Sequence, residues 1–580
     1  MELISGNEAI ARGAWEAGAA IGVAYPGTPS TETMEAFSKL PDVYAEWCPN
    51  EKVAVEVGLG ASAAGKRVLS TMKHVGVNVA ADPLFTAAYT GVGGGMVVLA
   101  ADDPGMHSSQ NEQDSHYYAA AAHIPMLDPA DSAEALAFTR EAFELSERFD
   151  VPVFIRSTVR ISHTKCPVEL GERAFVDRRP YEKDQAKWVM MPLYAKERRL
   201  SLDERIERVR AFAESSPLNR IEERSSEIGI VCLGATYQHV REALPEASVL
   251  KLGISWPLPP KLLETFASSV EKVYVVEEAS TYLSDQVKAA GVALETPVGE
   301  IPPYGELTPG VIAQAFGAEA ASCHEVPDGI PPRPPALCPG CPHRLVFREL
   351  ARMKAIVTGD IGCYTLGAMA PLSAIDTCVD MGASISMAHG FELGLKDIDH
   401  KPVVAVIGDS TFAHSGITSL LNTVYNCGAG TVCILDNRTT AMTGHQGNPV
   451  NGITLQHRPS RELDLPALVR ALGVDDVRTV DPMDMKETRR ALKEAVASDC
   501  LSVIVFQSPC VLLTKDRAAA YEVRSDCRAC GTCSLLGCPA ISCDPETKTA
   551  SIDASLCVGC SQCAQACPYG CIEQTGGSHE

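Results

Sequence analysis

The C-terminal end of the chain carries two cysteine runs, CRACGTCSLLGCP at 527–539 and CVGCSQCAQACP at 557–568. In each run three cysteines are spaced by two residues, and a fourth is followed directly by proline. Four cysteine thiolates hold a 4Fe-4S cluster, and this spacing is typical of proteins that bind two of them. Zinc sites favour paired cysteines with a long spacer, and disulfides belong to oxidising compartments. The runs therefore predict a small C-terminal domain with two iron–sulfur clusters.

The fourth cysteine of each run is expected to serve the cluster of the other run, as in two-cluster ferredoxins. This predicts two ligand sets, which are Cys527, Cys530, Cys533 and Cys567 for the first cluster and Cys557, Cys560, Cys563 and Cys538 for the second. The first run has one residue more between its third and fourth cysteines than the second run. Cys543 and Cys571 are left without a predicted ligand role.

Length and charge limit the class of protein. A chain of 580 residues is too long for one core and suggests about four domains. A hydrophobic content of 46% and a mean hydropathy of +0.02 are those of a soluble globular protein. The net charge of −23 argues against nucleic acid or an anionic membrane as a partner. The N-terminus does not resemble a signal peptide, and no apolar run is long enough to span a bilayer. We expect a cytoplasmic protein.

Short apolar runs alternate with amphipathic stretches along most of the chain, which predicts parallel, doubly wound sheets. A charge-rich stretch near 170–226 predicts a helical connector, and the proline-rich run IPPRPP at 330–335 predicts a linker. The expected fold is α/β, with three doubly wound parallel-sheet domains and a small α+β domain at the C-terminus. The predicted boundaries are 1–225, which includes the connector, 226–330, 331–515 and 516–580.

Two adjacent predicted strands of the third domain end in polar residues. The strand at 403–407 is followed by the triplet GDS at 408–410, and the next strand ends at Asn437, twenty-eight residues beyond Asp409. A carboxylate and an amide at the carboxyl ends of parallel strands suit a divalent cation that takes oxygen ligands and a phosphate. The alternative is an ordinary turn, because Gly-Asp and Asp-Asn are common in turns.

The triplet and the later asparagine resemble the motif that binds thiamine diphosphate. The resemblance implies that Mg²⁺ bridges the pyrophosphate to the Asp409 carboxylate, the Asn437 side chain and the backbone carbonyl of Thr439. The cofactor-binding residues implied here are Gly408, Asp409, Ser410, Asn437 and Thr439.

Thiamine diphosphate also needs a carboxylic acid that hydrogen-bonds its pyrimidine ring. Asn50 and Glu51 open a predicted helix, and a Gly-Ala pair follows nine residues after the glutamate. This looks like the acid-bearing helix of the pyrimidine-binding domain in thiamine enzymes. We predict Glu51 rather than Glu56, which lies five residues further and on another face of the helix. The alternative is that Glu51 only stabilises the helix N-terminus.

Thiamine diphosphate motifs and iron–sulfur runs on one chain resemble the 2-oxoacid:ferredoxin oxidoreductases, and most closely the alpha subunits of the indolepyruvate group. The most specific segments are CPGCPHR at 338–344, TGDIGCY at 358–364 and TAMTGHQ at 440–446. The run YPGTPS at 25–30 is similar to a loop of the family whose threonine hydroxyl approaches the substrate, which implies a catalytic role for Thr28. The resemblance implies four domains in chain order: pyrimidine-binding, transketolase C-terminal-like, pyrophosphate- and Mg-binding, and ferredoxin.

The CPGCPH loop allows two interpretations. Cys338, Cys341 and His343 supply three of the four ligands of a zinc site, but no cysteine or histidine next to them in the sequence completes it. The family resemblance places the loop against the cofactor instead, with a thiol near the thiazolium ring and His343 near the pyrophosphate. We favour the cofactor loop.

The resemblance implies oxidative decarboxylation of 2-oxoacids, foremost arylpyruvates such as indolepyruvate, to acyl-CoA and CO2, with single electrons passing to ferredoxin. It also implies a small beta subunit, an (αβ)₂ heterotetramer, and coenzyme A as co-substrate. Alternatives are the same chemistry on pyruvate or branched-chain 2-oxoacids, a non-redox thiamine decarboxylase or carboligase, and an electron-transfer subunit with a vestigial thiamine site.

Overall fold

The computed structural model describes residues 1–176, 181–319, 327–331, 333–514 and 517–575. The chain forms two compact units, 1–326 and 327–580. Among the described residues, none of the helices combines the length and apolar character needed to cross a membrane.

The first unit alternates strands and helices. Its strands are β1 (Glu2–Ser5), β2 (Ile21–Ala24), β3 (Tyr44–Trp47), β4 (Val68–Lys73), β5 (Met96–Asp102), β6 (Met126–Leu127), β7 (Val153–Thr158), β8 (Lys165–Val168), β9 (Arg220–Glu222), β10 (Ser225–Leu233), β11 (Ala247–Leu252), β12 (Ile254–Trp256) and β13 (Lys272–Val275). Its helices are α1 (Gly6–Glu16), α2 (Thr31–Ser38), α3 (Glu51–Ala63), α4 (His74–Val79), α5 (Ala81–Thr90), α6 (His116–Ala122), α7 (Ser132–Phe149), α8 (Val159–His163), α9 (Gln185–Trp188), α10 (Pro192–Ala213), α11 (Thr236–Ala243), α12 (Pro260–Ser268), α13 (Tyr282–Ala289) and α14 (Pro309–Ala315).

The largest sheet of this unit has seven strands in the order β12-β6-β7-β5-β4-β2-β3, and all neighbours are parallel except β12 and β6. The residues of β4, β5 and β7 are buried throughout, as expected for central strands that are covered on both faces. A second sheet, β13-β10-β11-β9, is parallel except at β9, and β1 pairs with β8. The carboxyl ends of β2 and β4 therefore lie side by side.

A single residue joins the two larger sheets of the first unit. Gly253 separates β11, in the smaller sheet, from β12, at the edge of the larger one. A Cβ atom at Gly253 would lie 2.3 Å from the carbonyl oxygen of Leu218, so a side chain does not fit. The Asn219 side-chain oxygen accepts from the backbone N–H groups of Gly253 and Ile254, both at 2.9 Å. This short crossing explains the antiparallel edge strand, which the sequence did not predict.

The second unit holds the remaining elements. Its strands are β14 (Ile356–Thr358), β15 (Val403–Gly408), β16 (Thr431–Asp436), β17 (Asp476–Val480), β18 (Ser502–Gln507), β19 (Tyr521–Val523), β20 (Ile541–Cys543), β21 (Ala550–Ile552) and β22 (Ile572–Gln574). Its helices are α15 (His343–Met353), α16 (Ala383–Leu395), α17 (Asp409–Thr411), α18 (Ile417–Tyr425), α19 (Leu465–Ala471), α20 (Met485–Val496) and α21 (Gln562–Ala566), with 3₁₀ turns at Cys363–Ala368 and Ser534–Leu536 and a π-helical turn at Phe412–Gly416.

Five parallel strands in the order β14-β15-β16-β18-β17 form the main sheet of the second unit. Val404 and Val406 of β15 pack into one apolar cluster, and Val403, Ala405 and Ile407 pack into another. Alternate residues thus cover both faces of the sheet, which makes it doubly wound.

The cysteine-rich segment follows the main sheet of the second unit as two antiparallel ribbons, β19 with β22 and β20 with β21. Its core includes Leu536, Ala550 and Ile572 and is shared with Leu345 of α15 and Met485 of α20. The predicted fold class, parallel-sheet α/β domains followed by a small domain at the C-terminus, is confirmed. The finer division into four domains stays a prediction.

Candidate functional site

Glu51 begins α3 in a buried position. The Asn50 side chain caps the helix by accepting from the Val53 N–H at 2.9 Å. The Glu51 side chain is only 5% exposed, and its carboxyl group lies against Gly76 of α4. A Cβ atom at Gly76 would lie 2.6 Å from Glu51 Oε1, so this close approach requires glycine. The Glu51 carboxyl group is therefore held inside the first unit, at the N-terminus of α3.

The loop at 25–30 carries Thr28, which is half-buried, and follows β2. Ser30 fixes the loop because its hydroxyl donates to the Gly27 carbonyl at 2.8 Å. A Cβ atom at Gly27 would lie 3.2 Å from the Cβ atom of Lys73, the last residue of β4. The loop of Thr28 and the carboxyl group of Glu51 therefore both contact the four-residue segment 73–76. No residue of this segment was given a role from the sequence.

In the second unit, Asp409 follows β15 at the carboxyl end of the sheet and is buried. Burial raises the pKa of its carboxyl group to about 7, and the nearby Asp436 carboxylate adds to the rise. The Asn448 side-chain amide donates to Asp409 Oδ2 at 3.2 Å. Sequence reasoning missed Asn448, because it lies on a loop thirty-nine residues away and belongs to none of the motifs.

Asn437 follows the neighbouring strand β16, and its side-chain amide lies between Asp409 and Thr439. In the orientation that satisfies its hydrogen bonds, the amide nitrogen donates to Asp409 Oδ1 at 3.3 Å and to the Thr439 carbonyl oxygen at 2.7 Å. The amide would turn over when a hard divalent cation binds, because such a cation takes oxygen ligands and the three residues would then each offer one. The three residues that the sequence predicted as cation ligands are brought together.

Gly408 and Ser410 flank Asp409. A Cβ atom at Gly408 would lie 2.5 Å from the ring of Tyr364, which belongs to the predicted TGDIGCY segment. Ser410 accepts a hydrogen bond from the Thr440 hydroxyl at 2.9 Å. Segments 358–364 and 440–446 therefore lie on either side of the Asp409 turn, as a shared site requires.

His343 begins α15 and is buried beside Asn437, with 3.5 Å between His343 Nε2 and Asn437 Nδ2. Burial lowers the pKa of the imidazole to about 4, so the ring is neutral at physiological pH. The structure places the CPGCPH loop next to the predicted cation ligands. The zinc interpretation and the direct contact of Cys338 and Cys341 with the cofactor both stay predictions.

Two thiols that are distant in sequence lie near the CPGC loop. Burial raises the pKa of Cys363 to about 11, and the neighbouring thiols Cys510 and Cys338 contribute. Burial likewise raises the pKa of Cys341 to about 12, with Cys338 and Cys363 among its neighbours. The backbone N–H of Cys510 donates to the Asn437 carbonyl at 3.0 Å. Sequence reasoning did not find these two thiols, because Cys363 and Cys510 are distant from Cys338 and Cys341 along the chain and come close to them only in the folded protein.

The eight cysteines of the two runs are gathered in two cavities. One cavity is lined by four cysteines, Cys527, Cys530, Cys533 and Cys567, together with the spare Cys571. The other is lined by Cys538, Cys557, Cys560 and Cys563. Each cavity thus takes its fourth cysteine from the other run, in the grouping that the spacing predicted. Cys543 lies near Cys533 in the core of the segment and lines neither cavity.

The second cavity also contacts the CPGC loop, since Pro339, Gly340 and Arg344 line it. Gln562, which starts α21, donates to the Cys341 carbonyl at 3.0 Å in a buried position. The Arg344 guanidinium donates to the carbonyls of Leu536 and Leu337, both at 2.6 Å. These bonds hold the second cysteine cavity beside the loop that carries His343.

Three family models match the chain. Residues 12–225 match the thiamine-diphosphate-binding domain of pyruvate flavodoxin/ferredoxin oxidoreductases, and residues 360–506 match the C-terminal TPP-binding domain of thiamine pyrophosphate enzymes. Residues 550–573 match a 4Fe-4S binding domain.

Curated relatives match along nearly the whole chain. Indolepyruvate oxidoreductase subunit IorA of Archaeoglobus fulgidus is 40% identical, over 98% of this chain and 96% of the relative. The subunit of the same name from Thermococcus kodakarensis is 41% identical over the same shares. The chain belongs to the family of indolepyruvate:ferredoxin oxidoreductase alpha subunits. It is a component of an oxidoreductase that uses thiamine diphosphate and iron–sulfur chemistry, as the resemblance implied.

A solved 2-oxoglutarate:ferredoxin oxidoreductase from Magnetococcus marinus, with 2-oxoglutarate, coenzyme A and succinyl-CoA bound, is also similar. It is 19% identical and matches with a TM-score of 0.45, over 55% of this chain and 64% of its own.

Proposed function

We propose that this alpha subunit catalyses the oxidative decarboxylation of arylpyruvates such as indolepyruvate, with coenzyme A as acyl acceptor and ferredoxin as electron acceptor. The observation that carries the proposal is the convergence of Asp409, Asn437 and Thr439 oxygens beside a loop that also borders a four-cysteine cavity. The names of the full-length relatives support an arylpyruvate substrate. Pyruvate and branched-chain 2-oxoacids remain the alternatives.

The overall reaction converts a 2-oxoacid anion and coenzyme A into acyl-CoA, CO2, one proton and two electrons. The bond between the oxo carbon and the carboxylate breaks, and a carbon–sulfur bond forms. Bound thiamine diphosphate supplies an electron sink for the decarboxylation, and iron–sulfur clusters accept electrons one at a time. Two molecules of a one-electron ferredoxin would take up the electron pair.

The protein groups divide this work. Asp409, Asn437 and Thr439 would hold Mg²⁺ and, through it, the pyrophosphate. The neutral imidazole of His343 lies beside Asn437 and would donate its N–H to the same phosphate. The Glu51 carboxyl group would exchange a proton with the pyrimidine ring, and Gly76 fixes its position. The Thr28 hydroxyl would donate to the substrate oxygen as negative charge develops there.

The eight cysteines would bind two clusters, with one set in each cavity. Protein that is purified anaerobically should then contain about eight iron atoms per chain. An iron content well below that number would contradict two full clusters. Iron clearly above it would be assigned to the thiols around Cys338, Cys341, Cys363 and Cys510.

We also propose a small beta subunit as partner, in an (αβ)₂ heterotetramer, because the relatives are named as subunits of an oxidoreductase. Experiments on activity should therefore use the co-expressed complex.

The proposal is tested by Glu51→Gln, with Glu56→Gln as a matched control. Glu51 is buried against Gly76, whereas Glu56 is exposed on the same helix and pairs with Lys52. We expect Glu51→Gln to lower oxoacid-dependent dye reduction by about 100-fold or more, with the thiamine diphosphate content retained. Glu56→Gln should keep the wild-type rate. Wild-type activity in Glu51→Gln would show that the assignment is wrong.

The non-redox alternative is separated by a spectrum. Under anaerobic conditions, phenylpyruvate with coenzyme A should bleach the iron–sulfur absorption of the wild-type complex and leave that of Glu51→Gln unchanged on the same timescale. A decarboxylase or carboligase would consume the oxoacid without bleaching. A vestigial thiamine site would do neither and would contain no bound thiamine diphosphate.

A further inference from the structure

Lys73 is a buried cation at the polar end of the first unit's large sheet. It is the last residue of β4, and its side chain is 8% exposed. Its stem packs against Gly27, the residue before Thr28, with 3.9 Å between Lys73 Cδ and a Cβ atom built on that glycine. Three residues later Gly76 contacts the carboxyl group of Glu51. The Lys73 side chain thus borders the loop that carries Thr28, and its strand leads directly into the segment that contacts Glu51.

The protein only partly satisfies this ammonium group. Lys73 Nζ donates to the carbonyl of Ser108 at 2.6 Å, and this is its one hydrogen bond among the described residues. None of the carboxylates in the described residues forms an ion pair with Lys73. The Asp103 carboxylate acts on it electrostatically, without an ion pair. The Asp103 carboxylate accepts instead from the backbone N–H groups of Ser108, at 2.8 Å, and His107, at 3.1 Å. An ammonium group has three donors, so two remain for a ligand.

Burial lowers the pKa of Lys73 to about 8, although Asp103 raises it. The group therefore stays protonated at neutral pH in a place where its charge is poorly solvated. A buried charge without a partner is costly, and an anion bound beside it would offset that cost. A small carboxylate bound beside Lys73 would accept hydrogen bonds from the two remaining donors and offset the buried charge.

We infer that Lys73 binds the carboxylate of the 2-oxoacid and holds its oxo group toward Thr28. The inference rests on the proposed function and names the residue that recognises the acid. The loop of Thr28 follows β2 and Lys73 ends β4, and these two strands are hydrogen-bonded neighbours whose carboxyl ends lie side by side. The ammonium would donate to the carboxylate until CO2 leaves, and it takes no proton from the substrate. The competing role is structural, in which Lys73 only ties the loop after β5 to β4.

The experiment compares Lys73→Met and Lys73→Arg in the complete complex, with Lys39→Met as the control. Lys39 is an exposed lysine of the same unit, at the end of α2. Lys73→Met should raise the KM for phenylpyruvate about 30-fold or more, because it removes one partner of a buried charged pair. Lys73→Arg should restore much of the affinity, and Lys39→Met should match the wild type. Thiamine diphosphate content and melting temperature establish that each variant is folded.

A second measurement moves only if the ammonium contacts the carboxylate. Methyl phenylpyruvate lacks the negative charge and serves as a competitive inhibitor. The wild-type enzyme should bind the acid much more tightly than the ester, and Lys73→Met should lose that preference. A structural role would weaken both ligands equally.

The pH dependence gives a third measurement. The titratable groups on the elements around Lys73 are Glu51, His74, Asp102, Asp103, His107 and Glu112. As pH rises past about 8 the ammonium loses its proton, so the wild-type KM for phenylpyruvate should rise there. Arginine stays protonated, so the KM of Lys73→Arg should remain flat to about pH 10.

The outcomes are distinct. If Lys73→Met folds and keeps both the wild-type KM and the preference for acid over ester, the inference is wrong and the proposed function stands. If the wild-type complex reduces dye with none of the 2-oxoacids, the proposed function itself fails. If Lys73→Met does not fold, the acid–ester preference and pH profile of Lys73→Arg decide: a KM that rises at about pH 8 as in the wild type overturns the inference.

Discussion

The polar ends of the two large sheets hold their functional groups in different ways. In the first unit, the Glu51 carboxyl group packs against Gly76 and the Lys73 stem packs against Gly27. In the second unit, the Asn437 amide lies between the Asp409 carboxyl group and the Thr439 carbonyl, and burial together with Asp436 raises the pKa of Asp409. The first end is preorganised by packing, whereas the second is completed only by a cation.

This difference matters because the two ends fail differently when they are altered. Substitutions in the first unit should disturb the chemistry and leave the cofactor bound. Substitutions in the second should release the cofactor. Three sets of variants test this separation between chemistry and cofactor binding.

The largest effect is expected for Asp409→Ala. It removes the one charged member of the three-oxygen set, and losing even an indirect partner of a metal ligand costs about 10–100-fold in affinity. We expect the apparent Kd for thiamine diphosphate with Mg²⁺ to rise at least about 100-fold, measured by titrating the cofactor-free complex. Glu51→Gln should bind the cofactor as the wild type does. Loss of cofactor from Glu51→Gln and its retention in Asp409→Ala would reverse the comparison.

A smaller effect is expected for Gly76→Ala. The added methyl group would lie 2.6 Å from Glu51 Oε1 and must displace the carboxyl group. A misplacement of about 1 Å can cost about 100-fold in rate, so we expect kcat to fall about 10- to 100-fold with unchanged cofactor content.

Gly60→Ala is the matched control for Gly76→Ala. Gly60 lies on α3, the helix of Glu51, and a Cβ atom there would meet no atom within 4 Å. That variant should keep its activity and gain about 0.5–1 kcal/mol of helix stability. Full activity in Gly76→Ala would show that the contact does not position Glu51.

The sequence predicted those parts of the molecule that depend on local pattern. The apolar run at 403–407 predicted β15 to within a residue, and the spacing of the cysteine runs predicted which four cysteines of the two runs line each cavity. The family and the enzyme class followed from short motifs and are confirmed by the relatives. Roles of individual site residues, the four domain boundaries and a cytoplasmic location stay predictions.

What the sequence could not show are contacts between distant segments. Asn448, Cys363 and Cys510 reach the site only because loops from three strands meet at one edge of the sheet. The roles proposed for Lys73 and Gly76 depend on which residues pack against them, and no sequence periodicity predicts those contacts. The lowered pKa of Lys73 likewise could not be predicted from the sequence, because it depends on the atoms that surround the ammonium group.

The smallest effect is expected for Asp409→Asn. Relative to the wild type, this variant should be more stable without the cofactor and less stable with it. In the cofactor-free protein, burial and Asp436 raise the pKa of Asp409 to about 7, so at pH 8 its carboxylate is charged and unfavourably placed. The asparagine removes this charge and should raise the free energy of unfolding by about 1 kcal/mol or more at pH 8. The gain should shrink at pH 5, because the native carboxyl group is then protonated.

With Mg²⁺ and thiamine diphosphate bound, the wild type should be more stable than Asp409→Asn, since only the charged wild-type residue is stabilised by the cation. Denaturant unfolding of the cofactor-free protein at the two pH values, followed by melting with saturating cofactor, measures both signs. Asp475→Asn, at an exposed aspartate of the same unit, should change stability by less than about 0.5 kcal/mol. If cofactor-free Asp409→Asn is less stable than the wild type at pH 8, the protein itself already stabilises the Asp409 carboxylate without a cation. The contrast between the two sheet ends would then be lost.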